Sequence, residues 1–121
     1  MNKVQVINFK TSTEQPLVSI VASERRVEGA PEQMLWNKFI DSSECLLSGT
    51  WSSDVGTWKV DYSDRNEFCY LLEGAMVLIS ENGSRTELTV GDAFVIPVGF
   101  IGCWQVTEPM KKHYVIHKVQ A

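Results

Sequence analysis

From Leu46 onward, short runs rich in Val, Ile, Thr and aromatic residues are separated by glycine or proline at short, fairly regular intervals. That punctuation constrains the chain more than any other feature. Each run is long enough for a strand and too short for a three-turn helix, and several in series predict an all-β fold. Residues 75–90 give the clearest hairpin. The run Ala75-Met76-Val77-Leu78-Ile79-Ser80 leads into Glu81-Asn82-Gly83-Ser84, where Asn-Gly can adopt the positive φ angles of a type I′ turn. The return run alternates, with Thr86, Leu88 and Val90 on one face and Arg85, Glu87 and Thr89 on the other. Gly91-Asp92 predicts a corner, residues 93–96 a short buried strand, and Pro97-Val98-Gly99 another turn. Residues 101–107 and 111–119 predict two strands either side of a corner at Pro109. Nothing reads as a long amphipathic helix. The expectation is a small antiparallel barrel or double-sheet jelly roll with little helix.

The N-terminal third is less sharply written. Residues 1–9 alternate well enough for a strand with Val4, Val6 and Phe9 on its apolar side. Residues 11–41 are interrupted by Pro16, Gly29 and Pro31 and predict extended segments, with at most one helical turn around residues 31–36. A chain of 121 residues suits a single domain. We expect residues 1–45 to supply an N-terminal extension and first strands, and residues 46–119 the barrel.

Charge and cysteine usage narrow the function. Eleven Lys+Arg stand against 15 Asp+Glu with no basic run, which argues against a nucleic-acid partner. No apolar stretch approaches the ~18 residues of a membrane helix. Residues 1–10 lack the apolar region of a secretory signal. Three cysteines, Cys45, Cys69 and Cys103, form no close pair, which fits reduced thiols in a cytoplasm.

Two sets of fixed gaps then stand out. Gly56 is followed by Glu67 and, after six intervening residues, Gly74; Gly91 is followed by Pro97-Val98-Gly99, Phe100, Ile101 and Gly102. Together these resemble the two cupin motifs, G-x5-H-x-H-x3–4-E-x6-G and G-x5-P-x-G-x2-H-x3-N, over residues 46–117. The resemblance implies a cupin-type (RmlC-like) jelly-roll β-barrel, a fold that often holds a divalent metal on three histidines and a glutamate. Gly49-Thr50-Trp51, Gly56-Thr57-Trp58, Leu72-Glu73-Gly74, Ile96-Pro97-Val98-Gly99-Phe100 and Lys112-His113-Tyr114 are similar to the ureidoglycine aminohydrolase-like branch. That branch implies metal-dependent hydrolysis of a ureide-like C–N bond, and the likeness to small cupins in general implies a homodimer.

The departures from the motifs decide more than the matches. Only Glu67 keeps a ligand identity; Gly102 stands at the second-motif histidine position and Val106 at the asparagine position. In the first motif, a three-residue gap before Glu67 puts Asp61 and Ser63 in the histidine places, and a four-residue gap puts Val60 and Tyr62 there. An unbroken strand favours the first register and lines up Asp61, Ser63, Glu67, Cys69 and Leu71 on one face. Asp61 and Glu67 suit Mn²⁺ or Mg²⁺ with several waters, His113 being a further weak candidate ligand. His113 and His117 lie about 13 Å apart on a strand at ~3.3 Å per residue, too far to share one ion. No tight cofactor is expected.

Each site residue carries two readings. Glu67 is a pocket carboxylate that binds a polar ligand or acts as general base, or it braces the barrel through Arg65, Lys112 or another cation. Cys69 is a pocket thiol or an inert buried one. Trp104 floors the pocket or packs the core. On the last strand, either His113 points inward or the pair Lys112 and Tyr114 does. The leading expectation is a small cupin that binds a small polar metabolite through Asp61, Ser63, Glu67, Cys69, Trp104 and His113. The alternatives are a metal-assisted aminohydrolase, and a structural or regulatory dimer with a plugged pocket.

Overall fold

In a computed structural model that describes residues 4–119, two long strands organise the molecule. β6 (Arg65–Ser80) and β9 (Ile101–Lys118) run antiparallel along their whole length, from Arg65↔Lys118 to Ser80↔Gly102. The remaining strands are β1 (Leu17–Ile20), β2 (Arg26–Glu28), β3 (Glu32–Ile40), β4 (Leu46–Ser53), β5 (Gly56–Asp61), β7 (Arg85–Thr89) and β8 (Ala93–Ile96). The first half of β9 pairs with β5 and its second half with β4. The first half of β6 pairs with β8 and its second half with β7. Two sheets therefore share the long strands: β1-β3-β4-β9-β6-β8 and β2-β5-β9-β6-β7. Every pairing is antiparallel, so the all-β jelly-roll architecture expected from the sequence is the one observed.

The sheets turn into one another where β6 and β9 bend together. Their register shifts between Leu71 and Met76. At Gly74, φ is +82° and a Cβ would meet the Pro109 carbonyl oxygen at 2.2 Å. The backbones cross too closely there for any side chain. Pro109 lacks the N–H a regular ladder uses, yet it sits inside β9, because the shifted register opposite it tolerates the gap. The expected corner is thus a bend within one strand. Val21, Trp58, Tyr62, Cys69, Leu71, Met76, Leu78, Ile96, Trp104, Val106 and Met110 belong to the buried cluster inside this curl.

Four local expectations change. Residues 4–9 form no strand, and Val4 and Val6 stand 101% and 97% exposed, since alternation without a neighbouring strand has nothing to pair with. Residues 1–3 lie outside the described residues. The helical turn is at Ser23–Arg25, whereas residues 32–36 belong to β3, held by pairing with β1 and β4. In the β6–β7 hairpin the Gly83 N–H bonds to the Ser80 carbonyl, and only Gly83 takes a positive φ. This is a type I turn closed by a bulge, the three-residue alternative to type I′. Finally, β8 buries only Ile96 fully, being paired on one side alone.

Candidate functional site

Strand alternation sets which side chains enter the barrel. On β9, Trp104, Val106, Met110, Lys112 and Tyr114 are all buried, while His113 and Val115 lie on the other face. On β6, Glu67, Cys69 and Leu71 are buried between the exposed Phe68 and Tyr70. Before β6, the turn at Ser63 and Asp64 resets the alternation, so Trp58 and Tyr62 point inward and Asp61 and Ser63 are exposed. The four-residue-gap register is the observed one. Asp61 spends Oδ1 on the Ser63 N–H outside the barrel, 2.9 Å away.

The inward side chains line a cavity of about 320 Å³ that is partly open to solvent. Its wall is apolar over Leu35, Leu47, Trp51, Trp58, Trp104 and Ile116, and polar at Gln33, Asn37, Tyr62, Glu67, Lys112 and Tyr114, with Arg25 and Arg65 also in the lining. Glu67 anchors the polar side. Its Oε1 accepts from the Tyr62 hydroxyl at 2.6 Å and its Oε2 from the Lys112 ammonium at 2.5 Å. Lys112 Nζ also approaches Cys69 Sγ at 3.5 Å, and it lies 4.2 Å from the Trp104 ring centroid and 4.9 Å from that of Trp51. Trp58 stacks on Trp104 at 5.9 Å, and Trp51 meets Trp104 edge-on at 5.3 Å. The ammonium is therefore boxed by a carboxylate, a thiol and two indole faces, a combination in which cation–π attraction adds about 2 kcal/mol when the cation is desolvated.

Burial and partners pull these groups in opposite directions. Burial pushes the Glu67 carboxyl up, but the Lys112 charge and the hydrogen bonds from Lys112 and Tyr62 hold it below the usual carboxylate value. Burial pulls the Lys112 ammonium down, and Cys69 and Glu67 beside it outweigh this and leave it raised. Both directions describe a charged pair. The Cys69 thiol is pushed up to about 12, first by burial, so at neutral pH it is not a nucleophile. The Tyr62 hydroxyl is likewise raised by burial and by Glu67.

The residues expected at a site thus divide. Glu67, Cys69 and Trp104 come together inside the barrel, and Glu67 and Trp104 line the cavity. Asp61, Ser63 and His113 do not join them. His113 Nδ1 pairs with Thr50 Oγ1 at 3.1 Å and its ring meets Phe9 edge-on at 5.3 Å, outside the wall that β9 forms. The inward pair is Lys112 and Tyr114, the latter donating to Asn37 Oδ1 at 2.8 Å. Gln33, Asn37 and Arg25 lie on strands or turns whose register the sequence left open.

This donor set does not fit the metal that cupins often hold. Among the described residues no three His, Cys, Asp or Glu side chains gather as a metal site. Both Glu67 oxygens are engaged, one of them by a positive charge that is part of the chain. Asp61 and His113, the other weak candidates for Mn²⁺ or Mg²⁺, are turned away by the Ser63–Asp64 turn and by strand alternation. At Gly102, the second-motif histidine position, a Cβ would meet the Ile79 carbonyl oxygen at 2.0 Å, so no ligating side chain fits there without moving β6.

The double-sheet curl with its inward glutamate is that of a cupin. The chain belongs to the EutQ-like cupin domain family, which it matches over residues 42–114. Among solved structures it is similar to a DUF861-family protein of unknown function from Pseudomonas syringae pv. tomato, at 25% identity and a TM-score of 0.77, over 88% of this chain and 45% of that one. A DUF861-family protein from Thermotoga maritima matches at 35% identity and a TM-score of 0.51, over 54% of this chain and 73% of that one. The EutQ protein of Clostridium difficile shares the fold at 17% identity and a TM-score of 0.63, over 74% of this chain and 65% of that one. The chain thus spans less than two-thirds of the Pseudomonas and Clostridium proteins. No curated protein matches it.

Proposed function

We propose that this cupin binds a small polar metabolite inside its barrel and does so without a tightly held transition metal. The observation that carries the reading is the cavity itself: about 320 Å³, at the small end of ligand pockets, with a mostly apolar wall and a few fixed polar groups. Tyr62, Glu67 and Lys112 are locked to one another, so the site is formed before a ligand arrives and binding spends little on ordering side chains. The space also speaks against a plugged barrel, since Trp104 lies in the wall and leaves the volume open.

Thermal-shift screening against ureides, small acids and amino acids tests this. A ligand at a hundred times its Kd should stabilise the protein by about 2.7 kcal/mol, and the effect should weaken in Tyr114→Phe and Glu67→Gln. A stabilising ligand indifferent to both substitutions places its site elsewhere.

The ureidoglycine aminohydrolase-like reading requires a metal to activate water or polarise the C–N centre, and the engaged oxygens of Glu67 do not favour it. Without a metal, a general base alone supplies about 10²–10⁴-fold. The homodimer belongs to the proposal as well; edge strand β1, with Leu17, Val18 and Ile20 more than half exposed, supports it. Light scattering should give twice the chain mass, and a monomer removes that part.

A further inference from the structure

We propose that the ligand of this cavity is a small organic anion, a carboxylate carried on an apolar or aromatic body. The inference rests on the reading that the cavity binds a metabolite, and it assigns the chemical class. The chain as a whole carries a net charge of −4, yet the cavity lining reverses that sign. Arg25, Arg65 and Lys112 face one acidic residue, Glu67. Glu67 is already neutralised by Lys112, at 2.5 Å, so what remains for a ligand to meet is guanidinium.

The two arginines differ in how free they are. Arg65 pairs with Asp64 at 2.9 Å and lies over the Tyr62 ring at 4.3 Å, which holds its plane beside the polar end of the cavity. The Arg25 backbone N–H bonds to the Ala22 carbonyl at 3.0 Å, but its guanidinium makes no hydrogen bond or ion pair among the described residues and is an exposed fork beside the cavity. A guanidinium fork matches a carboxylate through two parallel N–H···O bonds. The unmatched polar atoms point to the same class. Gln33 Nε2 and Trp104 Nε1, on two lining side chains, are buried donors without a partner among the described residues. Asn37 Oδ1, an acceptor in the lining, is taken by Tyr114. The wall therefore has buried donors to spare, while the Glu67 carboxylate and the Asn37 oxygen are already engaged, so it favours an acceptor-rich anion and repels a cation. Trp51, Trp58, Leu35 and Ile116 supply the surface for an apolar body.

The test titrates the full chain with matched pairs: benzoate and benzamide, phenylacetate and phenylacetamide, hexanoate and hexanamide, with inorganic phosphate as a bodiless anion. Intrinsic tryptophan fluorescence reads binding, because three of the four tryptophans line the cavity, and thermal shift provides a second measurement. At least one carboxylate should bind at least tenfold more tightly than its amide. Arg25→Gln, at an exposed position that should leave the fold intact, should weaken that carboxylate about tenfold, the worth of one charge-assisted hydrogen bond, and leave the amide unchanged. Equal binding of acid and amide overturns the anion assignment while leaving the cavity reading in place. Phosphate binding as tightly as the best carboxylate overturns the need for an apolar body. If no carboxylate binds while a neutral or cationic metabolite from the broader screen does, the inference falls alone; silence in both screens removes both.

Discussion

Two lysine–glutamate pairs with the same 2.5 Å separation hold different parts of this molecule, and their surroundings make them different interactions. Lys112–Glu67 lies inside the barrel with side chains 4% and 5% exposed. Lys38–Glu14 lies on the outer face, where Glu14 keeps 30% of its surface and fastens residues 8–14 against β3, beside Phe9 and His113. Water reaches Glu14 and can take the place of its partner there, although the Lys38 side chain is itself only 8% exposed. Nothing replaces a partner of the inner one. The contrast teaches that Lys112 is a fixed charge of the site, whereas Lys38 is a fastening for a segment that forms no strand of its own.

Removing Lys112 should have the largest effect. Lys112→Met leaves the Glu67 carboxylate buried and unpaired, and urea denaturation should show a loss of about 3–5 kcal/mol. The double substitution Lys112→Met/Glu67→Leu should recover much of it, since no charge is then stranded. A single-variant loss under 1 kcal/mol would place the inner pair with the outer one. Lys38→Ala should leave the urea midpoint close to wild type and instead speed proteolytic cleavage within residues 8–14.

Acid and base should separate the pairs next. Glu67 has a folded pKa below its unfolded one, so its contribution is complete above the ordinary value of about 4.3 and is lost as pH falls through the depressed folded value. Lys112 is shifted the other way; its contribution is complete below about 10.4 and is lost as pH rises through the raised folded value. Stability curves against pH should therefore flatten at the acid end in Glu67→Gln. An unchanged acid limb would show that other carboxylates govern it.

Chemical labelling gives a sharper, smaller effect. With its thiol pushed up to about 12, Cys69 should resist iodoacetamide at pH 8 in the folded protein and react once unfolded, as mass spectrometry can follow. Rapid labelling of native protein would mean that the box around Lys112 opens. The smallest effect is expected at His113, which burial, Lys38 and Lys111 together hold below the usual imidazole value. The unfolded chain takes up its proton first, so the stability contributed there falls as pH drops below about 6.5 toward the folded value. An NMR titration should show that midpoint rising in Lys38→Met; an unmoved midpoint would detach His113 from the outer pair.

The barrel was legible in the sequence because turns and alternation are local. Gly83, Gly91 and Gly99 all take positive φ at the predicted turns, and β8 has the boundaries that Asp92 and Pro97 set. The site was harder to read because it depends on parity carried across interruptions. Treating Pro109 as a corner breaks the count between Trp104 and Lys112. Keeping β9 continuous preserves it and puts Lys112 and Tyr114 on the Trp104 face. The opposite happens at Ser63 and Asp64, where a turn flips the count and exchanges Asp61 for Tyr62. Arg25, Gln33 and Asn37 reach the cavity through pairings of β2 and β3 that no local signal announces.

Metal analysis tests the central claim most directly: the charge opposite Glu67 comes from Lys112, and the barrel holds no tight transition metal. The full chain, purified without chelator or affinity metal, should be compared with Glu67→Ala by mass-spectrometric elemental analysis. Both proteins should carry far less than one metal ion per chain. Near-stoichiometric metal in the wild type that disappears in Glu67→Ala would contradict it, and would mean that Lys112 leaves Glu67 when a metal is offered.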